Sequence, residues 1–161
     1  MSNNIFEFQG TIVIPATTSK FVAKDQFKKI KNRVSYLGVN FYNWFLAGDG
    51  KIEDLIPQIT LRYAKLLSDI RDVKIIAELG GEAKVEVALA EVYYLMEQQK
   101  NGEGGVLLIN NYTNVFYIKD VNGVLRAVDV QSFGSGWYVS ASSIADPDGW
   151  REGDQFFSHD S

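Results

Sequence analysis

Residues 82–99 read EAKVEVALAEVYYLMEQQ, and residues 114–130 read NVFYIKDVNGVLRAVDV. In the first stretch Val85, Ala88, Leu89, Val92, Leu95 and Met96 recur at i, i+3, i+4, i+7, i+10 and i+11. That spacing predicts one amphipathic α-helix over about 82–99. Glu82 suits the first turn, and Asn101-Gly102 supplies a stop because Gly takes the left-handed conformation readily. Gly80-Gly81 lets the chain turn sharply into the helix.

The second stretch has a different rhythm. Residues 106–109, 115–119, 124–130 and 137–141 are rich in β-branched and aromatic side chains, and Gly/Asn turns separate them. They predict an antiparallel meander, with 155–158 as an added edge strand. A helix laid across one face of that sheet would bury both apolar faces, so the expected class is α+β in a single domain, 1–161.

Upstream the pattern is less decided. Residues 11–14, 34–37 and 73–77 read as short strands. Asn40 to Phe45 reads either as a short capped helix or as an aromatic strand. Residues 51–71, broken by Pro57, fit either state.

Composition narrows the function classes. The chain has 161 residues, 46% hydrophobic and 22% charged, so a packed core is expected rather than disorder. There are no cysteines. That removes disulfides, thiolate metal sites and a cysteine nucleophile, and it fits a reducing, cytoplasmic setting. No basic leader and no apolar run of about 20 residues stands out, so neither a signal peptide nor a membrane span is expected. The Asn111-Tyr112-Thr113 sequon then reads as chance. The single histidine, His159, lies in what looks like a tail, a poor place for a general base.

Five features invite a functional reading. From Lys20 to Arg33 the basic residues are Lys20, Lys24, Lys28, Lys29, Lys31 and Arg33, against one acid, Asp25. That segment carries +5 and leaves −9 on the rest of a chain of net charge −4. With Phe21 and Phe27 interleaved it could hold nucleic acid, although charge runs are usually solvated faces. Asp146, Asp148, Glu152 and Asp154 share one loop that could offer oxygen ligands to calcium. An EF-hand frame fails there, because Gly149 at its sixth position puts Ile144 at the first and Gln155 at the twelfth. No metal is therefore expected. The Gly80-Gly81 junction lies between Glu78 and Glu82, which repel anions, and neither GxGxxG nor GxxxxGK[ST] occurs, so no nucleotide cofactor is expected. Glu82 and Glu86, one helical turn apart, are expected to be plainly solvated. Val87, Ala90 and Tyr94 form a second helical stripe, either core or a partner-binding patch.

The blocks PATTSKFVAKDQF (15–27), SYLGVNF with NWFL (35–46), TLRYAKLL (60–67), IIAELGGEAKVEVALAE (75–91), NVFYIKDVNGVLRAV (114–128) and QFFS (155–158) go together. Together they resemble a group of small uncharacterised bacterial proteins across nearly the whole chain. The resemblance implies one intact domain in a bacterial setting and brings no activity with it.

The functional expectation is a macromolecule-binding module with a protein partner. The candidate contacts are the turn-borne aromatics Tyr112, Phe133, Trp137, Tyr138 and Trp150, since exposed Trp and Tyr favour interfaces. The alternatives are a small enzyme using carboxylates, Tyr or Lys, and a nucleic-acid binder using the basic segment.

Overall fold

Gln155-Phe156-Phe157-Ser158 puts two large apolar side chains next to each other, and a strand sends successive side chains to opposite faces. Both can be buried only where both faces of the sheet are covered. The computed structural model, which describes residues 5–29, 33–134 and 136–160, meets that demand. The strands are β1 (Phe6–Ile14), β2 (Phe21–Val22), β3 (Val34–Leu37), β4 (Ile52–Glu53), β5 (Ile59–Leu66), β6 (Asn114–Lys119), β7 (Leu125–Phe133), β8 (Gly136–Ser143) and β9 (Gln155–His159). Seven of them form one sheet in the order β1-β5-β9-β6-β7-β8-β3, while β2 and β4 pair separately. β9 is thus an inner strand and not the expected edge.

The class is α+β, as expected, but the sheet is mixed and not an antiparallel meander. β6, β7 and β8 run antiparallel to their neighbours in turn, whereas β6 with β9 and β3 with β8 are parallel. Residues 106–109 are not a strand. Side-chain amides satisfy their backbone instead. Gln99 donates to the Leu107 carbonyl and accepts from its N–H, and Asn114 does the same for Leu108. Both are buried, so these amides stand in for the missing strand partner.

The helices are α1 (Ala23–Gln26), α2 (Val39–Phe41), α3 (Asp72–Glu78), α4 (Glu82–Val85) and α5 (Leu89–Glu97), and a π-helical turn, Tyr42–Leu46, continues α2. The expected single helix over 82–99 is therefore two helices with an extended break at Glu86 to Ala88. Sheet hydrogen bonding explains the break. β9 pairs with β6 only at Asn114 and Val115, which would leave the Tyr117 carbonyl alone on that side. The Val87 N–H fills the position at 2.9 Å. An unpaired buried carbonyl would cost about 1–3 kcal/mol, enough to outweigh helix propensity over three residues.

Residues 73–77 also differ from expectation, forming α3 and not a strand. Ile75 and Ile76 are buried while Val73 is 66% exposed, a helical pattern that overrides the β-branched composition.

Helices cover both faces. On the α5 face, Leu89, Val92 and Met96 pack with Phe27, Phe41 and Phe45 against Phe116, Ile118, Val139 and Phe157. On the α3 face, Ile75, Ile76 and Val85 pack with Trp150 against Val115, Tyr117, Ala127 and Phe156. The Phe156–Phe157 pair divides accordingly. Phe157 stacks on Phe116 at 4.3 Å, and Phe156 meets Phe6 edge-on at 5.8 Å. Among the described residues no helix is long and apolar enough to cross a membrane.

Candidate interaction surface

Strand alternation assembles an aromatic corner. Gln131 of β7 lies opposite Tyr138 of β8, and Tyr138 lies opposite Tyr36 of β3. Phe133, two residues beyond Gln131, shares that face. The rings converge, with Phe133 edge-on to Tyr138 at 4.5 Å and Tyr36 tilted over it at 5.3 Å. Neither core cluster includes them. Tyr36 is 43% exposed and Phe133 37%, while Tyr138 is half-buried. β3 is the last strand of the sheet, so its outer edge has no strand beside it among the described residues.

Two of the sequence candidates, Phe133 and Tyr138, therefore meet here, joined by Tyr36, which the sequence reading missed. Its one signal was its position in the expected 34–37 strand. Tyr112 makes no ring contact with the corner among the described residues, and its ring lies against Gly153. It lies under the Arg151 guanidinium at 4.5 Å. Arg151 and Gln131 both donate to the Asn111 carbonyl, which links Tyr112 to the β7 end of the corner.

The two tryptophans are elsewhere. Trp137 is 1% exposed, on the inward side of β8 among the α5-face core, so as a contact candidate it is corrected to a core residue. Trp150 is half-buried against Phe156, and its Nε1 donates to Asp72 Oδ1 at 2.6 Å. Tyr117 OH donates to the same oxygen at 2.6 Å. Trp150 is thus a pin between a loop and α3.

The basic segment separates into parts. Lys20, Lys24, Lys28 and Lys29 are exposed. Lys24 donates to the Gly48 carbonyl at 3.0 Å. Arg33 is half-buried, and a side chain at Gly102 would collide with its guanidinium. Lys31 lies outside the described residues. Of the interleaved rings, Phe27 turns inward and packs on Phe41 and Tyr93 at 5.2 and 5.3 Å, while Phe21 is half-buried against Phe27 and Tyr93.

Two of the acidic loop's four carboxylates are engaged by backbone N–H groups. Asp146 accepts from the Asp148 N–H, and Asp154 accepts from the N–H groups of Thr113 and Arg151. Among the described residues no group of His, Asp and Glu is arranged to hold a metal ion. Glu82 is exposed and Glu86 faces Lys119 at 3.4 Å. The second helical stripe is core at Val87 and Ala90.

The helix break opens a cleft of about 510 Å3 that sequence reading did not anticipate. Glu53 Oε2 and Oε1 accept from the N–H groups of Leu89 and Ala90 at 2.7 and 2.9 Å, and Glu91 Oε1 accepts from Ala88 at 2.9 Å. Burial pushes both carboxyls up, against those backbone bonds. Lys51 pulls Glu53 back down and His159 does so for Glu91, while Glu53 adds to the rise at Glu91. His159 ends β9 opposite Leu61, and its Nε2 donates to the Glu86 carbonyl at 2.6 Å, so it is not on a loose tail. The convergence looks like acid–base machinery, but these oxygens satisfy the free N–H groups that open α5. The pair caps a helix. Glu53 comes from 36 residues upstream, beyond the reach of any local motif.

No protein-family model, curated protein or solved structure matches this chain.

Proposed function

We propose that this protein is a binding module for another protein, acting in a reducing compartment such as the cytoplasm, with Tyr36, Phe133 and Tyr138 as its contact surface and Tyr112 at its margin. One observation carries the reading: three rings cluster on one face beside an open strand edge, outside both cores. Rigid aromatic side chains contribute large contact area at low entropic cost, and they dominate interface energetics. An open strand edge adds backbone donors and acceptors for an extended segment of the partner. The competing chemistries have less behind them. The buried carboxylates of the cleft are engaged in capping, and of the two rings interleaved with the lysines Phe27 is buried in the core.

The test is affinity capture from native cell lysate with the wild-type chain and with a Tyr36→Ser/Phe133→Ser/Tyr138→Ser variant, at low and raised salt. A stoichiometric protein held by the wild type and released by the variant, with circular dichroism unchanged, is expected. A partner held equally by both chains would remove the aromatic corner from the reading. Nucleic acid captured at low salt and lost at raised salt would instead favour Lys20, Lys24, Lys28 and Lys29.

A further inference from the structure

The α3 face has a second open flank, at the end of the sheet opposite Tyr36. There β1, β5 and β9 face the α3–α4 turn across a cleft of about 700 Å3. Its walls are Phe6, Phe8, Ala64 and Leu79, with Arg62 and Lys84 among them. Phe8 is 54% exposed, an unusual setting for a large ring with apolar neighbours. The Arg62 guanidinium lies 4.6 Å from the centre of that ring. Stacking of this kind occupies the π-face of the guanidinium and leaves its in-plane N–H donors unspent. Neither Arg62 nor Lys84 is in an ion pair among the described residues. The Lys84 stem runs across Gly80, which has φ +113° and where an added Cβ would come within 3.0 Å of Lys84 Cγ. The glycine thus leaves the stem room to lie along the turn.

We propose that this cleft binds a small organic carboxylate with an apolar aromatic or aliphatic body. The in-plane donors of Arg62 match a carboxylate fork, and Lys84 adds a second positive charge. Phe6, Phe8 and Leu79 receive the apolar body, in the usual pattern of an apolar pocket with few polar groups. Glu78, also at the cleft, disfavours ligands with more negative charge. The site shares no residue with the aromatic corner and stands independently of it.

The probe is 3-phenylpropanoate, titrated into the full chain and followed by amide chemical shifts in NMR. Saturable shifts at Arg62, Gly80, Lys84 and Ser158 are expected, with Kd on the order of 1 mM for so small a ligand. The uncharged 3-phenylpropanamide is expected to bind roughly tenfold more weakly or worse, because it loses the charge-assisted bonds. Arg62→Gln is expected to cause a similar loss for the carboxylate, and Glu78→Gln a gain of about threefold. The amide control needs no variant, so it decides the matter even if Arg62→Gln unfolds. No saturable shift up to about 10 mM, shifts confined to another region, equal binding of the amide, or equal displacement by inorganic phosphate would each overturn the proposal.

Discussion

Asp72 is a buried carboxylate that ties three elements together. It is 1% exposed, opens the first turn of α3, and accepts from Tyr117 OH and Trp150 Nε1 through one oxygen. Burial raises its carboxyl, and those two bonds oppose the rise. The Tyr117 phenol is pushed far above its usual range, first by burial and then by the Asp72 charge. The unit therefore works as carboxylate with two neutral donors, joining β6, α3 and the loop before β9. Tyr117→Phe removes one donor and is expected to cost about 1–2 kcal/mol. Asp72→Ala leaves the buried Tyr117 hydroxyl and the partly buried Trp150 Nε1 unpaired and is expected to cost about 3 kcal/mol. Urea unfolding followed by tryptophan fluorescence measures both, and the native emission of Asp72→Ala should shift to the red as Trp150 loosens. Trp150→Phe is expected to lower stability while leaving partner capture intact, which separates this residue from the aromatic corner.

At the scale of elements, α5 depends on a cap supplied from a distant strand. Ala88 precedes it with no side-chain oxygen, so Glu53 and Glu91 satisfy the first N–H groups. Glu53→Ala is expected to destabilise by about 2 kcal/mol, at the upper end of cap deletions because two bonds to a charged acceptor disappear. Hydrogen exchange should speed up first at Leu89 and Ala90. The same region marks the limit of what the sequence made legible. The apolar stripe from Val85 to Met96 marks mostly core positions, but the one helix expected over 82–99 is two, and 34–37 is the expected strand. The break at Glu86 to Ala88 was invisible because its cause is a carbonyl of Tyr117, a strand away. The inner position of β9 was hinted at by its adjacent phenylalanines, yet a five-residue terminal segment reads by default as an edge. Among the proposed contact residues, Phe133 and Tyr138 are readable from the sequence as turn-borne aromatics. Trp137 was indistinguishable from them until strand phase assigned it to the inner face, and Tyr36 joined only through the parallel register of β3 on β8.

Across the whole molecule, the acidic composition has been folded partly inward, and that sets the direction of its pH response. Burial raises the carboxyls of Glu53, Asp72, Glu91, Asp129 and Asp154. Asp129, half-buried on the α3 face between Val115 and Ser140, is pushed up to about 7, first by desolvation and then by Asp154 and Asp72. A carboxyl whose pKa is higher folded than unfolded holds its proton more tightly in the native state. Its stabilising contribution is complete below the unfolded value, about 4, and is lost as pH rises through the folded value. Asp120 and Glu103 have lowered pKa values, and their contribution is present above about 4 and lost only on further acidification. Between pH 5 and pH 8 the raised group governs, so stability is expected to fall across that interval. Asp129→Asn removes the contribution that titrates closest to neutrality. The variant should be more stable than wild type at pH 8, by on the order of 1–2 kcal/mol, and the difference should close towards pH 5. Urea unfolding of both chains at pH 5, 6.5 and 8 measures this, and a wild type that gains stability as pH rises would refute it. Since Asp129 is one register step from Gln131 and Tyr138 on the same face, its ionisation also adds charge beside the aromatic corner. Partner capture through that corner should therefore be compared at pH 6 and pH 8 in wild type and Asp129→Asn, where only the wild type is expected to change between the two.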